Sequence, residues 1–163
     1  MLTALALVAC SPSLNWREVR NTEARYTVLL PAKPASHARQ VTLGDLKVEM
    51  HMTAAEADDM NFAVASAIIE DADQRRSALS MMQQAMVKNI GGSIVQTKSL
   101  KLGDGTEATE IEAGGALASG RRMILFARFA MKEQRVYQAV AVGPQDRLSA
   151  EIAETFLASF TLQ

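Results

Sequence analysis

The chain has 163 residues, of which 48% are hydrophobic and 21% charged, and its formal net charge is −1. This composition is typical of one soluble globular domain, and the near-neutral charge provides no electrostatic footprint for nucleic acid. The chain contains a single cysteine, which excludes an internal disulfide and a zinc site built from several cysteines.

An uncharged apolar run, residues 2–9, ends directly before that cysteine, Cys10. The run is far too short to span a bilayer, which takes roughly 20 residues, but it matches the hydrophobic part of a secretory signal. The sequence Leu7-Val8-Ala9-Cys10 resembles the cleavage and lipidation signal of bacterial lipoproteins. Turn-forming residues 11–15 follow, which disfavours the alternative of a buried helix or strand.

The lipoprotein resemblance implies a signal peptide over residues 1–9, a lipid-modified Cys10 and a short tether, residues 10–15. One globular domain, residues 16–163, would follow. No Lys or Arg precedes Leu2, so we expect the signal peptide to be truncated at its N-terminus. Ser11 stands where an aspartate commonly marks retention in the inner membrane. The resemblance therefore implies an outer-membrane location facing the periplasm, with the membrane as one partner and an envelope protein as a second candidate.

Hydrophobic alternation and turn residues predict the strands of the domain. They are expected at residues 15–20, 25–30, 38–43, 46–53, 61–69, 93–102, 106–112, 121–131 and 136–142. A polar connector is expected at residues 54–60, a flexible loop after Gly114-Gly115, and a break in the sheet at Gly143-Pro144. Because the short connections join hairpin-like neighbours, the prediction is an α+β domain with a mainly antiparallel sheet.

Two helices are expected. The first begins after Asp71 or Asp73 and ends at Gly91-Gly92, and the second follows a cap at Asp146 and ends near residues 159–160. The apolar stripe of the first helix comprises Ala78, Leu79, Met82, Ala85, Met86 and Ile90, and that of the second comprises Leu148, Ile152 and Phe156.

The hairpin over residues 38–53 has a self-consistent register. If Leu43 lies opposite Leu46, then Val41 lies opposite Val48, and the apolar residues of both strands share one face. The same register places His37 and His51 on opposite faces of the sheet.

Several landmarks together resemble PsbP-like bacterial lipoproteins over about residues 16–163. They are the strand that ends at Pro31, the helix that ends at Gly91-Gly92, the paired late strands, and the terminal sequence of residues 156–160. The resemblance implies an α/β/α sandwich in which two helices flank the sheet. It implies no catalytic residue, because that family is similar in architecture and diverse in role.

The sequence contains no pattern that indicates catalysis. His37 and His51 cannot readily share a metal or a substrate, and no Gly-x-Ser-x-Gly elbow is present. Glu107, Glu110 and Glu112 are interpreted as solvated edge charges. Asp58-Asp59 lies in the expected connector and is a poor cation site. No catalytic residue, metal or cofactor is therefore expected.

Two features remain as candidates for binding. Arg121 and Arg122, with Arg128 on the same predicted strand, could form a small basic spot for an anionic partner or a lipid headgroup. The alternative is that they pair with neighbouring carboxylates. The nine methionines fill the core or line a groove for a flexible peptide.

The sequence thus predicts a non-enzymatic, lipid-anchored envelope protein that acts by binding or as an assembly factor. Two alternatives stay open. A hydrolase would need a cleft where a histidine or carboxylate meets a hydroxyl nucleophile. A carrier of a small apolar ligand would need a closed pocket between sheet and helix.

Overall fold

A computed structural model describes residues 14–163, which form ten strands and two helices. No helix within this part of the chain is long and apolar enough to cross a membrane. In chain order the elements are β1 (Arg17–Asn21), β2 (Tyr26–Leu30), β3 (Ala35–Leu43), β4 (Leu46–Ala57), β5 (Met60–Ile68), α1 (Ala72–Asn89), β6 (Gly92–Lys101), β7 (Glu107–Ala116), β8 (Arg122–Lys132), β9 (Arg135–Pro144), α2 (Ala150–Ser159) and β10 (Thr161–Leu162).

The strands form two antiparallel sheets. The larger one has seven strands in the order β3-β4-β5-β9-β8-β7-β6, and the smaller one has three in the order β1-β2-β10. The predicted α+β fold with a mainly antiparallel sheet and two helices is confirmed. The division into two sheets and the short strand β10 had no counterpart in the sequence prediction.

Each face of the larger sheet contributes to its own hydrophobic core. In β9, Tyr137 and Ala139 belong to the core that contains α2 and the small sheet, whereas Val136 and Val140 belong to the core that contains α1. Successive strand residues point to opposite faces, so this alternation follows directly from the pleat. The two helices therefore stabilise different cores.

The predicted register of the β3–β4 hairpin is confirmed. Leu43 lies opposite Leu46 and Val41 lies opposite Val48. Val48 is buried in the core beneath α1, and Leu43 packs against the same core. Hydrophobic alternation sets this register, because a slip of one residue would turn every apolar side chain to solvent.

The predicted connector over residues 54–60 was wrong. Strand β4 continues to Ala57, and Ala55 is buried against β5. The actual turn consists of Asp58 and Asp59, with φ angles of 53° and 64°. Two successive residues with positive φ form the tight turn that matches the twist of an antiparallel hairpin. Small alanines beside acidic residues made a strand resemble a connector.

The pair Gly114-Gly115 and the residue Gly143 were also misinterpreted, since they lie inside strands. Gly114 and Gly115 belong to β7, and Gly143 belongs to β9. A Cβ atom on Gly115 would lie 2.2 Å from the carbonyl oxygen of Ile90, and one on Gly143 would lie 2.9 Å from Cγ of Met60. These glycines permit close packing within the sheet and against the end of α1.

The helix boundaries agree with prediction except at one cap. The Asp71 side chain accepts a hydrogen bond from the Gln74 amide at 2.8 Å, which caps α1. At α2 the cap is Ser149, whose hydroxyl accepts from the Ile152 amide at 3.2 Å. The predicted cap at Asp146 was wrong, because the chain makes a further turn between β9 and the helix. Both residue types satisfy the free amides of a first helical turn.

The substitution Phe156→Ala should destabilise the domain by about 3–5 kcal/mol. Phe156 is fully buried, and its ring contacts that of Phe62 edge-on, with centroids 5.4 Å apart. Urea denaturation measures the effect. The exposed neighbour Thr155→Ala is the control, with an expected change within about 0.5 kcal/mol. Equal stability of the two variants would contradict the docking of α2.

Candidate functional site

The α2 side of the larger sheet is only partly covered. Helix α2 packs mainly on β2, β8 and β9. The same face of β6 and β7 remains accessible and forms the floor of two adjoining clefts. A third cleft adjoins the second one at the start of β8 and the end of β9. We call the three clefts together the β7 groove, because the first two follow strand β7.

The inner cleft of the β7 groove lies between α2 and strands β6 and β7 and has a volume of about 200 Å³. Phe126, Ala153 and Leu157 provide its apolar surface. Its polar lining comprises Gln96, Lys98, Glu110, Glu112 and Glu154.

A ladder of three charged side chains crosses the sheet beside the inner cleft. Lys98 on β6 lies opposite Glu110 on β7, and Glu110 lies opposite Arg128 on β8. The Glu110 carboxylate accepts from Lys98 Nζ at 2.6 Å and from Arg128 Nε at 2.5 Å. The side chains of Glu110 and Arg128 are only 8% and 9% exposed. Directly opposed residues of opposite charge stabilise neighbouring strands.

Arg128 also connects the sheet to α2. Its Nη1 atom donates to the carbonyl oxygen of Leu157 at 2.6 Å, and its Nη2 atom lies 3.6 Å from Glu154. The Leu157 carbonyl belongs to the last turn of the helix, where it also accepts from the Phe160 amide at 3.2 Å and where a cation is favourable. One guanidinium group therefore holds β7, β8 and α2 together.

The hydrogen bond with Glu110 raises the pKa of Lys98 above its ordinary value. Because the charged form of the amine is the form that Glu110 stabilises, Lys98 remains a cation at neutral pH. The ladder thus contains two cations that share one carboxylate.

Two sequence interpretations are corrected by this arrangement. Glu110 is buried in an inner strand and is no solvated edge charge, and Arg128 takes no part in a basic surface spot. The signal for this was the position of Arg128 between Leu125-Phe126-Ala127 and Phe129-Ala130. A charge within a continuous apolar strand requires a buried partner.

The outer cleft brings Arg121 and Arg122 together. They line it with Gln145 and Asp146, and its volume is about 430 Å³. Arg121 pairs with Asp59 at 3.1 Å, and Nε of Arg122 donates to the Gln145 side chain at 2.9 Å. Arg128 lies roughly 20 Å further along the strand. Anion binding by Arg121 and Arg122 stays a prediction. For Arg121, the structure shows the alternative, an ion pair with a neighbouring carboxylate.

A middle cleft of about 480 Å³ joins the inner and outer ones. It shares Glu112 with the inner cleft and shares Arg122 and Gln145 with the outer cleft. Gly114 lies in its floor, where an added Cβ would meet only the Val95 side chain, at 3.8 Å. The inner and middle clefts therefore adjoin along β7, and the outer cleft adjoins the middle one beyond the end of that strand. From the sequence, a flexible loop was expected after Gly114-Gly115, so these clefts along β7 could not be predicted.

The histidines are placed as the register predicted. His37 lies opposite Met52 and His51 lies opposite Ala38, so the two rings project from opposite faces. The His51 ring is 38% exposed and bonds to Glu49 at 2.8 Å. Among residues 14–163, no group of three or more His, Cys, Asp or Glu side chains could hold a metal ion.

One carboxylate does contact a hydroxyl. Thr106 Oγ1 donates to Asp104 at 2.8 Å in the turn between β6 and β7. The Lys132 ammonium, 2.7 Å from the same carboxylate, holds the pKa of Asp104 down at about 2. So weak a base is unsuited to activating a hydroxyl at neutral pH. This cluster fixes a hairpin turn.

Cys10 lies outside the described residues. The described chain begins at Leu14, which packs against the core that contains α2. The amide of Asn15 donates to the carbonyl oxygen of Pro31 at 2.8 Å. The chain is therefore attached to the domain from Leu14 onward.

No protein-family model and no curated protein matches the sequence. The structure is similar to that of cyanobacterial PsbP (CyanoP) from Synechocystis sp. PCC 6803, with a TM-score of 0.60 and 14% identity over 99% of each chain. This similarity shows a PsbP-like fold for the described part of the chain, and at this identity it shows the fold alone.

Two further solved structures are less similar. The protein of unknown function PA94 from Pseudomonas aeruginosa has a TM-score of 0.41 and 13% identity over 68% of this chain and 85% of its own. The immunity protein TplEi of T6SS from the same organism has a TM-score of 0.47 and 11% identity over 90% and 75%.

The substitution Arg128→Met should destabilise the domain by about 3–5 kcal/mol, because it leaves the Glu110 carboxylate buried with a half-exposed lysine as its remaining partner. The double variant Glu110→Met with Arg128→Met should recover most of this loss, since apolar residues of similar volume often replace a buried pair at little cost. Urea denaturation of both variants measures the difference.

The exposed Arg122→Met is the matched control, with an expected change within about 0.5 kcal/mol. If Arg128→Met were no worse than this control, the buried pair would not connect the sheet to α2 as described.

Proposed function

We propose that this chain is a lipid-anchored, non-enzymatic binding protein of the bacterial cell envelope. It faces the periplasm from the outer membrane, and its domain is an α/β/α sandwich of the PsbP type. The observation that supports the binding role is the β7 groove, whose three clefts adjoin one another through shared lining residues.

The shape of the β7 groove favours an extended polypeptide segment as the occupant. Its inner and middle clefts adjoin along β7 from Glu110 to Ala116, a distance of roughly 20 Å at about 3.3 Å per residue. Its floor is an antiparallel sheet, which holds its side chains in fixed positions. Because the floor is already rigid, only the partner segment loses conformational entropy when it binds.

On the α2 side of the larger sheet, the carrier alternative has less support. A pocket for a small apolar ligand usually encloses about 300–1,000 Å³. The cleft between α2 and the sheet has about 200 Å³ and is lined by charged side chains. The space beneath the middle of α2 is filled by Phe156 and Phe62, both fully buried.

The hydrolase alternative also has less support. His37 and His51 project from opposite faces of the sheet. The carboxylate that contacts a hydroxyl, Asp104, has a pKa of about 2 and lies in a turn held by Lys132.

The proposal of a membrane anchor is based on the sequence Leu7-Val8-Ala9-Cys10. The position of Leu14, the first described residue, limits the distance between the lipid and the domain. Leu14 is already packed on the domain. Four residues fully extended span about 13 Å. A lipid on Cys10 would therefore hold the domain next to the bilayer, with its Leu14 end nearest to the lipid.

The substitution Cys10→Ala should release the protein from the membrane fraction after a salt wash and leave the domain folded. One acyl chain gives marginal membrane binding, whereas two or three give stable anchoring. Ser11→Asp is the matched control, because it retains the cysteine and should move the protein to the inner-membrane fraction of a density gradient. Retention of Cys10→Ala in washed membranes, or wild-type protein in the inner membrane, would contradict the anchor or the address, respectively.

A photo-crosslinking residue placed at Gln96 or at Gln145 should yield an adduct with the same envelope protein in living cells. These exposed residues line the inner and the outer cleft. Gln40, equally exposed on the opposite edge strand β3, is the control and should yield no such adduct. Identical adducts at all three positions, or none at Gln96 and Gln145, would contradict a partner in the β7 groove.

A further inference from the structure

We propose that the inner cleft binds the lysine or arginine side chain of a partner's extended segment. This inference rests on the proposed function, because it names the chemistry that one part of the β7 groove recognises. Three features support it, namely the size of the cleft, its balance of charge and the clear path that leads to it.

The size of the inner cleft fits one long side chain. Its volume of about 200 Å³ is below the range of pockets that enclose whole small molecules. Phe126, Ala153 and Leu157 line it with apolar surface. The methylene stem of a lysine or arginine can pack on such a surface while its charged end stays at the polar rim.

The charge of the cleft favours a cation. Lys98 and Arg128 are both bonded to Glu110. Glu112 lines the same cleft and has no ion pair within residues 14–163, and Glu154 is 58% exposed with its nearest cation at 3.6 Å. Two cations face three carboxylates, so an additional positive charge would complete the balance. A carboxylate beside apolar surface forms a strong charge-assisted hydrogen bond with such a group.

An anionic occupant is disfavoured by the same contacts. Binding an anion here would require Lys98 or Arg128 to turn away from Glu110. Arg128 is buried, and its Nη1 atom is already used by the Leu157 carbonyl. Removing these bonds would leave the Glu110 carboxylate buried without its main partner, which is strongly unfavourable.

The middle cleft provides a path for the partner's backbone. Gly114 presents no side chain to it, and an added Cβ would touch the Val95 side chain at ordinary contact distance. A glycine within a strand often marks a place where another backbone comes close. Gly114→Val should therefore obstruct the β7 groove without disturbing the sheet.

The test uses two fluorescein-labelled heptapeptides with the full-length protein in detergent micelles at low salt. One peptide is Gly-Ser-Val-Lys-Val-Ser-Gly, and the other has norleucine in place of lysine. Fluorescence anisotropy should show about tenfold tighter binding of the lysine peptide, the value of one charge-assisted contact. Raising the salt concentration should reduce this preference.

Glu112→Gln and Glu154→Gln should each lower the preference for lysine several-fold and leave the norleucine peptide unaffected. Glu107→Gln is the matched control, because Glu107 is exposed on the same strand at an odd spacing from Glu112 and projects from the other face. Gly114→Val should weaken both peptides equally. Unchanged thermal midpoints would show that every variant is folded.

The outcomes separate the inference from the function on which it rests. If both peptides bind equally well and Gly114→Val weakens both, the inner cleft does not recognise a cationic side chain. The β7 groove would then remain a binding site. If Gly114→Val does not weaken the binding of either peptide, or if neither peptide binds, the result would contradict both the recognition of a cationic side chain and the β7 groove as a binding site. A lysine preference that survives in both glutamine variants would remove the inner cleft as its cause.

Discussion

The structure depends on one buried guanidinium group. Arg128 contacts Glu110 on the neighbouring strand and the Leu157 carbonyl at the end of α2, so a single side chain connects two strands to the helix. Burying a charge is costly unless every donor finds a partner, and the partners here come from two elements that otherwise meet through apolar contacts. The same group fixes the position of Glu110, which in turn holds Lys98 at the rim of the groove. Fold stability and the shape of the inner cleft therefore have a common origin.

Most of the fold could be predicted from the sequence because the outer strands β3 and β4 alternate, the inner strands β8 and β9 are continuous apolar runs, and the turns are short. The register of β3 and β4 needed only the assumption that Leu43 faces Leu46. The failures came from glycine and alanine, which lack the side chains that reveal a pattern. Gly114-Gly115 was interpreted as the start of a flexible loop and Gly143-Pro144 as a break in the sheet, whereas Gly115 and Gly143 lie where another chain segment comes too close for a Cβ atom. A close approach between distant segments leaves no local signal in a sequence.

The candidate site was predicted less well, since its residues come from elements far apart in the chain. Arg121 and Arg122 were recognised as neighbours, because they adjoin in sequence. The ladder of Lys98, Glu110 and Arg128 requires the pairing of β6 with β7 and of β7 with β8 to be known together. Each residue alone has a simpler interpretation as a solvated charge. The buried position of Arg128 within an apolar strand was the one local sign that such an interpretation was incomplete.

The β7 groove is present because the larger sheet is wider than the elements that pack on its α2 side. Six gaps between seven strands make the larger sheet roughly 29 Å wide at about 4.8 Å each. On one face the 18 residues of α1 extend roughly 27 Å, but on the other the 10 residues of α2 extend only about 15 Å. The small sheet covers part of the remainder, and β6 and β7 are left accessible. An uncovered strip must be polar enough to tolerate water, which accounts for Gln96, Lys98 and Glu112 beside Phe126. A strip that is polar on β6 and β7 and adjoins apolar side chains of β8 and α2 has the mixed chemistry that recognises an amphipathic side chain.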